Sequence, residues 1–214
     1  MKKTKKRLII AAGFLAAFVL WTVTVCVVDV QPIGPDGSSA GFAAVNGFVH
    51  KLTGVHWSLY TITDWLGLVP IAVCFGFGVL GLIQWIKRKK ITKVDKSILA
   101  LGGFYILVMA VYILFEYVVI NRRPVLIDGF LEGSYPSSTT MLVLCVMPTA
   151  MMQLQDRIKN KAANRVVLLA ISAFTVFMVV GRLVSGVHWA SDIIGGILLS
   201  AGLVLLYAAV CKTE

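Results

Sequence analysis

Charge is scarce in this sequence, and negative charge is scarcest. Only 14% of the 214 residues are Asp, Glu, Lys or Arg, and ten of them are acidic. That excludes a strongly solvated or disordered chain and leaves few groups for acid, base or metal chemistry. There are three histidines and four cysteines. Cys26, Cys74, Cys145 and Cys211 lie inside or at the ends of apolar runs, without CxxC or zinc-site spacing. Neither a disulfide framework nor a metal site is indicated, and the thiols read as small hydrophobes. No soluble domain, internal repeat or low-complexity tail is visible.

What is abundant is apolar sequence: 58% of the residues are hydrophobic. That is too apolar for a soluble domain and enough for several membrane spans. The expectation is an all-α polytopic membrane protein, residues 1–214 forming one integral membrane domain. Its six transmembrane helices fall at about 8–28, 65–86, 98–120, 139–154, 166–180 and 193–210. The first is read as a retained helix, because no small-x-small cleavage site precedes Asp29. Residues 40–59 carry His50, Lys51 and His56, and read as a surface-lying or re-entrant helix between the first two spans. Trp57, Tyr60 and Trp65 look like an interfacial aromatic belt, and Tyr135 and Trp189 like interfacial anchors. Ser137 or Ser138, after Pro136, suits the N-cap of the fourth span.

Net charge is +10, but its distribution suits anionic lipid and membrane orientation better than nucleic acid. Six spans place both termini on one side. That side holds the five Lys/Arg of residues 2–7, the six of 87–96, the four of 157–165 and Lys212. Both termini are therefore expected in the cytoplasm, in a multi-pass cell-membrane protein. Lys51, Arg122, Arg123 and Arg182 remain outside. The topology bias disfavours arginines there; phosphate binding is the natural reason for them, and snorkelling anchors the plain alternative.

Three external stretches hold the polar chemistry: Glu116 to Pro124, Tyr135 to Thr139, and Gly181 to Asp192. In the last, His188 and Asp192 fall one turn apart if the chain is helical from Trp189. A carboxylate there would fix the imidazole tautomer and free the other nitrogen for attack. The same stretch would also suit a polar loop whose aspartate caps the next helix.

The order and spacing of these stretches resemble the type 2 phosphatidic acid phosphatase superfamily of membrane lipid phosphatases, which includes vanadium haloperoxidases. Its signature is K-x6-R-P, P-S-G-H and S-R-x5-H-x3-D. Arg182, His188 and Asp192 keep the third motif's spacing, Arg123-Pro124 the end of the first, and Pro136-Ser137 the start of the second. The resemblance implies a metal-independent hydrolase without cofactor, working at the outer face. His188 would be the nucleophile, forming a phosphohistidine, with Asp192 orienting it. Arg123 and Arg182 would hold the phosphate oxygens. Ser137, with Ser138, Thr139, Arg122 and Glu116, would complete the substrate site. Its partners would be a lipid phosphate or diphosphate and the surrounding membrane lipids; no protein partner is inferable.

The departures are Glu116 for the lysine, Ser138 and Thr139 for the glycine and histidine of the second motif, and Gly181 for the serine of the third. The missing histidine is the family's general acid, a contribution of typically ~10²–10⁴-fold. A lipid diphosphate tolerates that loss, because its leaving group is a phosphate monoester with a second pKa of about 6. Undecaprenyl diphosphate is then an attractive substrate. The alternative is an impaired member that binds or transports a lipid phosphate without turnover. A third reading, outside the family, is a small transporter whose arginines select anions.

Overall fold

The structure is a computed structural model and describes residues 2–211. Lys212, counted above with the cytoplasmic charge, lies outside them. Among the described residues the regular elements are helical: α1 Lys2–Val27, α2 Ala43–Thr53, α3 Trp57–Leu66, α4 Leu68–Arg88, α5 Lys96–Tyr117, α6 Ser138–Arg157, α7 Lys161–Val184 and α8 Ala190–Cys211. Many large apolar side chains face outward, among them Leu20, Phe75, Ile106 and Val176. That pattern fits a bundle whose surroundings are hydrocarbon rather than water.

Five segments are long and apolar enough to cross a membrane: Lys3–Val27, Trp57–Arg88, Lys96–Tyr117, Lys161–Val184 and Ala190–Cys211. The expected fourth span is α6, which carries Thr140, Thr149, Gln153 and Pro148 among its apolar residues. It packs against α4, α5, α7 and α8, so its polar groups face protein. Gln153 donates to the Tyr207 hydroxyl at 2.6 Å.

The connection from α1 to α4 differs from the single helix expected over residues 40–59. Gly54, with φ +68°, ends α2, and α3 starts at Trp57. α3 runs into α4 through Gly67, whose amide donates to the Asp64 carbonyl at 2.9 Å. The second apolar segment therefore begins about eight residues before position 65 and includes Tyr60 and Asp64. Tyr135 and Trp189, read as interfacial anchors, are both 2% exposed. Tyr135 stacks on Phe18, and the Trp189 indole N–H donates to the Arg122 carbonyl at 2.7 Å.

Two clamps set the ends of the bundle. α1 lies along α8, where Trp21 Nε1 donates to the Ser191 carbonyl at 3.1 Å and Arg7 to the Ala208 carbonyl at 3.1 Å. At the end where Arg7 meets α8, Asp95 accepts from Gln84 at 2.8 Å and Arg88 at 2.8 Å, and Arg157 lies 3.6 Å away. That carboxylate joins the ends of α4, α5 and α6, and its Arg88 and Gln84 hydrogen bonds hold its pKa below the ordinary value.

Candidate active site

The loop between α5 and α6 folds back on itself. Asp128 and Gly129 both have positive φ, 50° and 84°, as the tightest two-residue turn requires, and Ile127 and Phe130 exchange backbone hydrogen bonds across it. The pairing continues with the Arg123 amide donating to the Glu132 carbonyl at 3.1 Å and the Ser134 amide to the Asn121 carbonyl at 2.9 Å. It sets Arg123 beside Ser134, eleven positions along the chain.

The other half of the site comes from the junction of α7 and α8. Arg182 lies on the last turn of α7, which continues past the expected end at 180 to Val184. Gly186, with φ +71°, turns the chain so that His188 points back toward Arg182. A Cβ on Gly186 would run into the Gly54 carbonyl, so that position is restricted by contact as well as by φ. Asp192 falls in the first turn of α8.

These segments converge on the imidazole of His188, which is 3% exposed. Its Nε2 lies 3.3 Å from Arg123 Nη1 and 3.2 Å from Arg182 Nη2. Its Nδ1 lies 3.1 Å from the Ser134 hydroxyl, which donates a short hydrogen bond to Asp192 Oδ2. Asp192 also accepts from the Trp189 amide at 2.9 Å and from Asn121 Nδ2 at 3.1 Å. Burial, and then the charges of Arg123 and Arg182, push the His188 pKa well below the usual imidazole value. The ring is therefore neutral. Hydrogen bonding fixes its proton on Nδ1, toward Ser134, and aims the Nε2 lone pair at the two guanidinium groups.

Each arginine has a carboxylate at its side. Arg123 Nε donates to Glu132 at 3.0 Å, and Arg182 Nη1 lies 3.6 Å from Asp64. The Tyr60 ring packs under Arg182, 5.1 Å from ring centre to guanidinium carbon. Among the described residues, Nε and Nη1 of Arg182 are buried without a hydrogen-bond acceptor. Two guanidinium groups drawn to one point, with unused donors, define an anion site. It closes one end of a cavity of about 880 Å³, whose far walls include Leu68, Ile71, Tyr105, Val108 and Leu142. A polar end and an apolar body suit a ligand built the same way.

The residues singled out from the sequence divide. Arg123, Arg182 and His188 meet at the cavity, and Asp192 stands behind His188. Glu116, Ser138 and Thr139 line the same cavity. Ser137 and Arg122 are not among its walls. The Ser137 amide donates to the Asp192 carbonyl at 3.1 Å, and its buried hydroxyl makes no cap bond. Arg122 is exposed and donates to the Leu131 carbonyl at 2.9 Å. Sequence reasoning missed Ser134, Asn121, Tyr60 and Asp64; Glu132 reads from the sequence as loop solvation or as a support for Arg122 or Arg123, and it pairs with Arg123. The Asp128-Gly129 pair was the available sign that Glu132 and Ser134 return to Arg123.

The missing serine of the third motif has a local reason. A Cβ on Gly181 would lie 2.8 Å from Thr63 Cγ2, so α3 packs directly on that glycine.

A comparison with curated proteins found no match. Among solved structures, the chain is similar to one described as the first transmembrane PAP2 type phosphatidylglycerolphosphate phosphatase, from Bacillus subtilis, with a TM-score of 0.52 and 17% identity over 93% of each chain. At that identity the likeness concerns the fold. The family model of the PAP2 superfamily matches residues 70–213, more than half of the sequence and all three polar motifs, and the chain belongs to that superfamily.

Proposed function

We propose that the protein is a membrane lipid phosphatase that works through a phosphohistidine. One observation carries this reading: two arginines converge on the unprotonated Nε2 of a buried, neutral histidine at the polar end of an amphiphilic cavity. A pure anion binder needs no nucleophile there. In the first step Nε2 attacks phosphorus, the bond to the leaving oxygen breaks, and that oxygen takes the electron pair. The ring becomes a phosphorylated imidazolium whose Nδ1–H stays on Ser134, backed by Asp192. Arg123 and Arg182 stabilise the charge on the phosphoryl oxygens, so the scheme needs no metal. Ser138, Thr139 and the first-turn amides of α6 add hydrogen bonds. In the second step water releases inorganic phosphate and restores His188.

Thr139 donates a hydrogen bond but is a poor acid, so the favoured substrate is one whose leaving group needs no proton. A polyprenyl diphosphate such as undecaprenyl diphosphate meets that condition. In the membrane we infer a single domain of six spans, with α6 as the fourth, short α2 at the outer interface, both termini in the cytoplasm and His188 facing outside.

A second reading has its own support. Asp64 and Glu132 already partner the two arginines, so the chain could hold a lipid phosphate without turning it over. Phosphate release in detergent separates the two. Undecaprenyl diphosphate, phosphatidylglycerolphosphate and phosphatidate are assayed with the intact protein and with His188→Ala. Release that is fastest from the diphosphate and abolished in the variant supports the enzyme. Binding with no release from any of the three supports the second reading.

A further inference from the structure

Hydrolysis of a phosphohistidine needs a base to take a proton from water, and Thr139 cannot serve. Three carboxylates border the cavity: Asp64, Glu116 and Glu132. Glu132 accepts a hydrogen bond from Arg123 Nε at 3.0 Å, which holds it on that guanidinium and lowers its basicity. Glu116 comes from the last turn of α5, at the cavity's other side. Asp64 is different. Its Oδ1 lies 3.6 Å from Arg182 Nη1, beyond hydrogen-bond range but close enough for that guanidinium to hold it in place. Arg182 Nη2 is in turn 3.2 Å from His188 Nε2, so the carboxylate sits one guanidinium away from the reacting nitrogen. The Asp64 side chain is 57% exposed and lines the cavity. Asp64 and Thr139 line the same cavity, and Gly67, three residues after Asp64, lies against Thr139: a Cβ there would touch Thr139 Cγ2 at 3.6 Å.

We propose that Asp64 is the general base for the second half-reaction, an assignment that rests on the phosphohistidine reading above. A water molecule between Asp64 and the phosphoryl group gives a proton to the carboxylate. Its oxygen forms the new P–O bond, the P–Nε2 bond breaks, and the electron pair returns to His188. Phosphate departs, and Asp64 releases its proton to solvent. The first half-reaction, with a diphosphate substrate, does not use Asp64.

Rapid-quench kinetics of the full chain in detergent test this, with undecaprenyl diphosphate labelled on its terminal phosphate. Asp64→Asn should release the first equivalent of undecaprenyl monophosphate at the wild-type rate and then stall. Label should accumulate on the protein, and steady-state phosphate release should fall by about 10²–10³-fold. Glu132→Gln should not accumulate label. The assignment is overturned if Asp64→Asn turns over normally, or if its first turnover slows with the rest, which would mark Asp64 as a support for Arg182. A wild-type protein that releases neither product overturns the underlying reading instead.

Discussion

Nδ1 of His188 and Oδ2 of Asp192 are 3.8 Å apart, too far for a hydrogen bond, although the two residues lie one helical turn from each other. The Ser134 hydroxyl fills the gap, accepting from the imidazole and donating to the carboxylate. The orientation expected directly from Asp192 is thus relayed through a third residue from a different loop.

Ser134→Ala should therefore weaken catalysis more than binding. Losing a hydrogen bond that supports a developing imidazolium is worth about 1.5–3 kcal/mol, or roughly 10- to 100-fold in kcat, with KM little changed. Ser134→Thr, which keeps the hydroxyl, should recover much of the loss. A rise in KM at constant kcat would contradict the relay.

Arg182→Lys should lower kcat/KM by about 10²-fold or more, although the charge is retained. The guanidinium spans Tyr60, Asp64 and His188 Nε2 at once, and a single ammonium cannot reproduce that fork. The measurement is phosphate release with saturation by substrate, beside Arg122→Lys. Arg122 lies off the cavity, so that variant should behave as wild type.

Acid should destabilise the fold through His188. Its pKa is well below the ordinary value in the folded protein, so the unfolded chain binds a proton that the folded one does not. The His188 contribution is complete above about pH 6.5 and is lost as the pH drops below it, by up to about 1.4 kcal/mol per pH unit until the folded group also titrates. Thermal unfolding in detergent from pH 7.5 to 6 should show the onset of this loss in the wild type. It should shrink in His188→Gln.

Gly181→Ser would restore the residue type of the family motif, yet it should destabilise this chain by about 1–3 kcal/mol through overpacking against Thr63. Adding Thr63→Ser removes the methyl group in the way and should return most of the stability. The midpoint of thermal unfolding reports both effects.

Much of the architecture was legible because long uncharged runs have few alternatives. Arg123, Arg182 and His188 were legible because their spacings match the family's motifs. Glu132 was legible as a candidate support for Arg122 or Arg123, but the return of Ser134 to Arg123 was not, since it depends on a turn at Asp128-Gly129 that closes an irregular loop. Tyr60 and Asp64 were hidden for another reason. An aromatic residue and an aspartate near the start of an apolar run look like interfacial residues, and only the packing of α3 on α7 turns them toward Arg182. α6 shows the reverse problem: its hydropathy is low because it carries polar groups such as Thr149 and Gln153, which are hydrogen-bonded inside the bundle.

The contacts of Asn46 carry one more consequence. This fully buried side chain accepts from the Ser191 amide at 3.1 Å and donates to the Ser191 hydroxyl at 2.9 Å, next to Asp192. Trp21, Tyr60 and Asp64 also precede residue 70, where the recognised family region starts. A version trimmed to that region would keep every signature residue yet lose the wall that holds them in register. The reacting pocket is thus assembled by both halves of the polypeptide, and grafting its motifs without the leading helices should transplant the letters but not the chemistry.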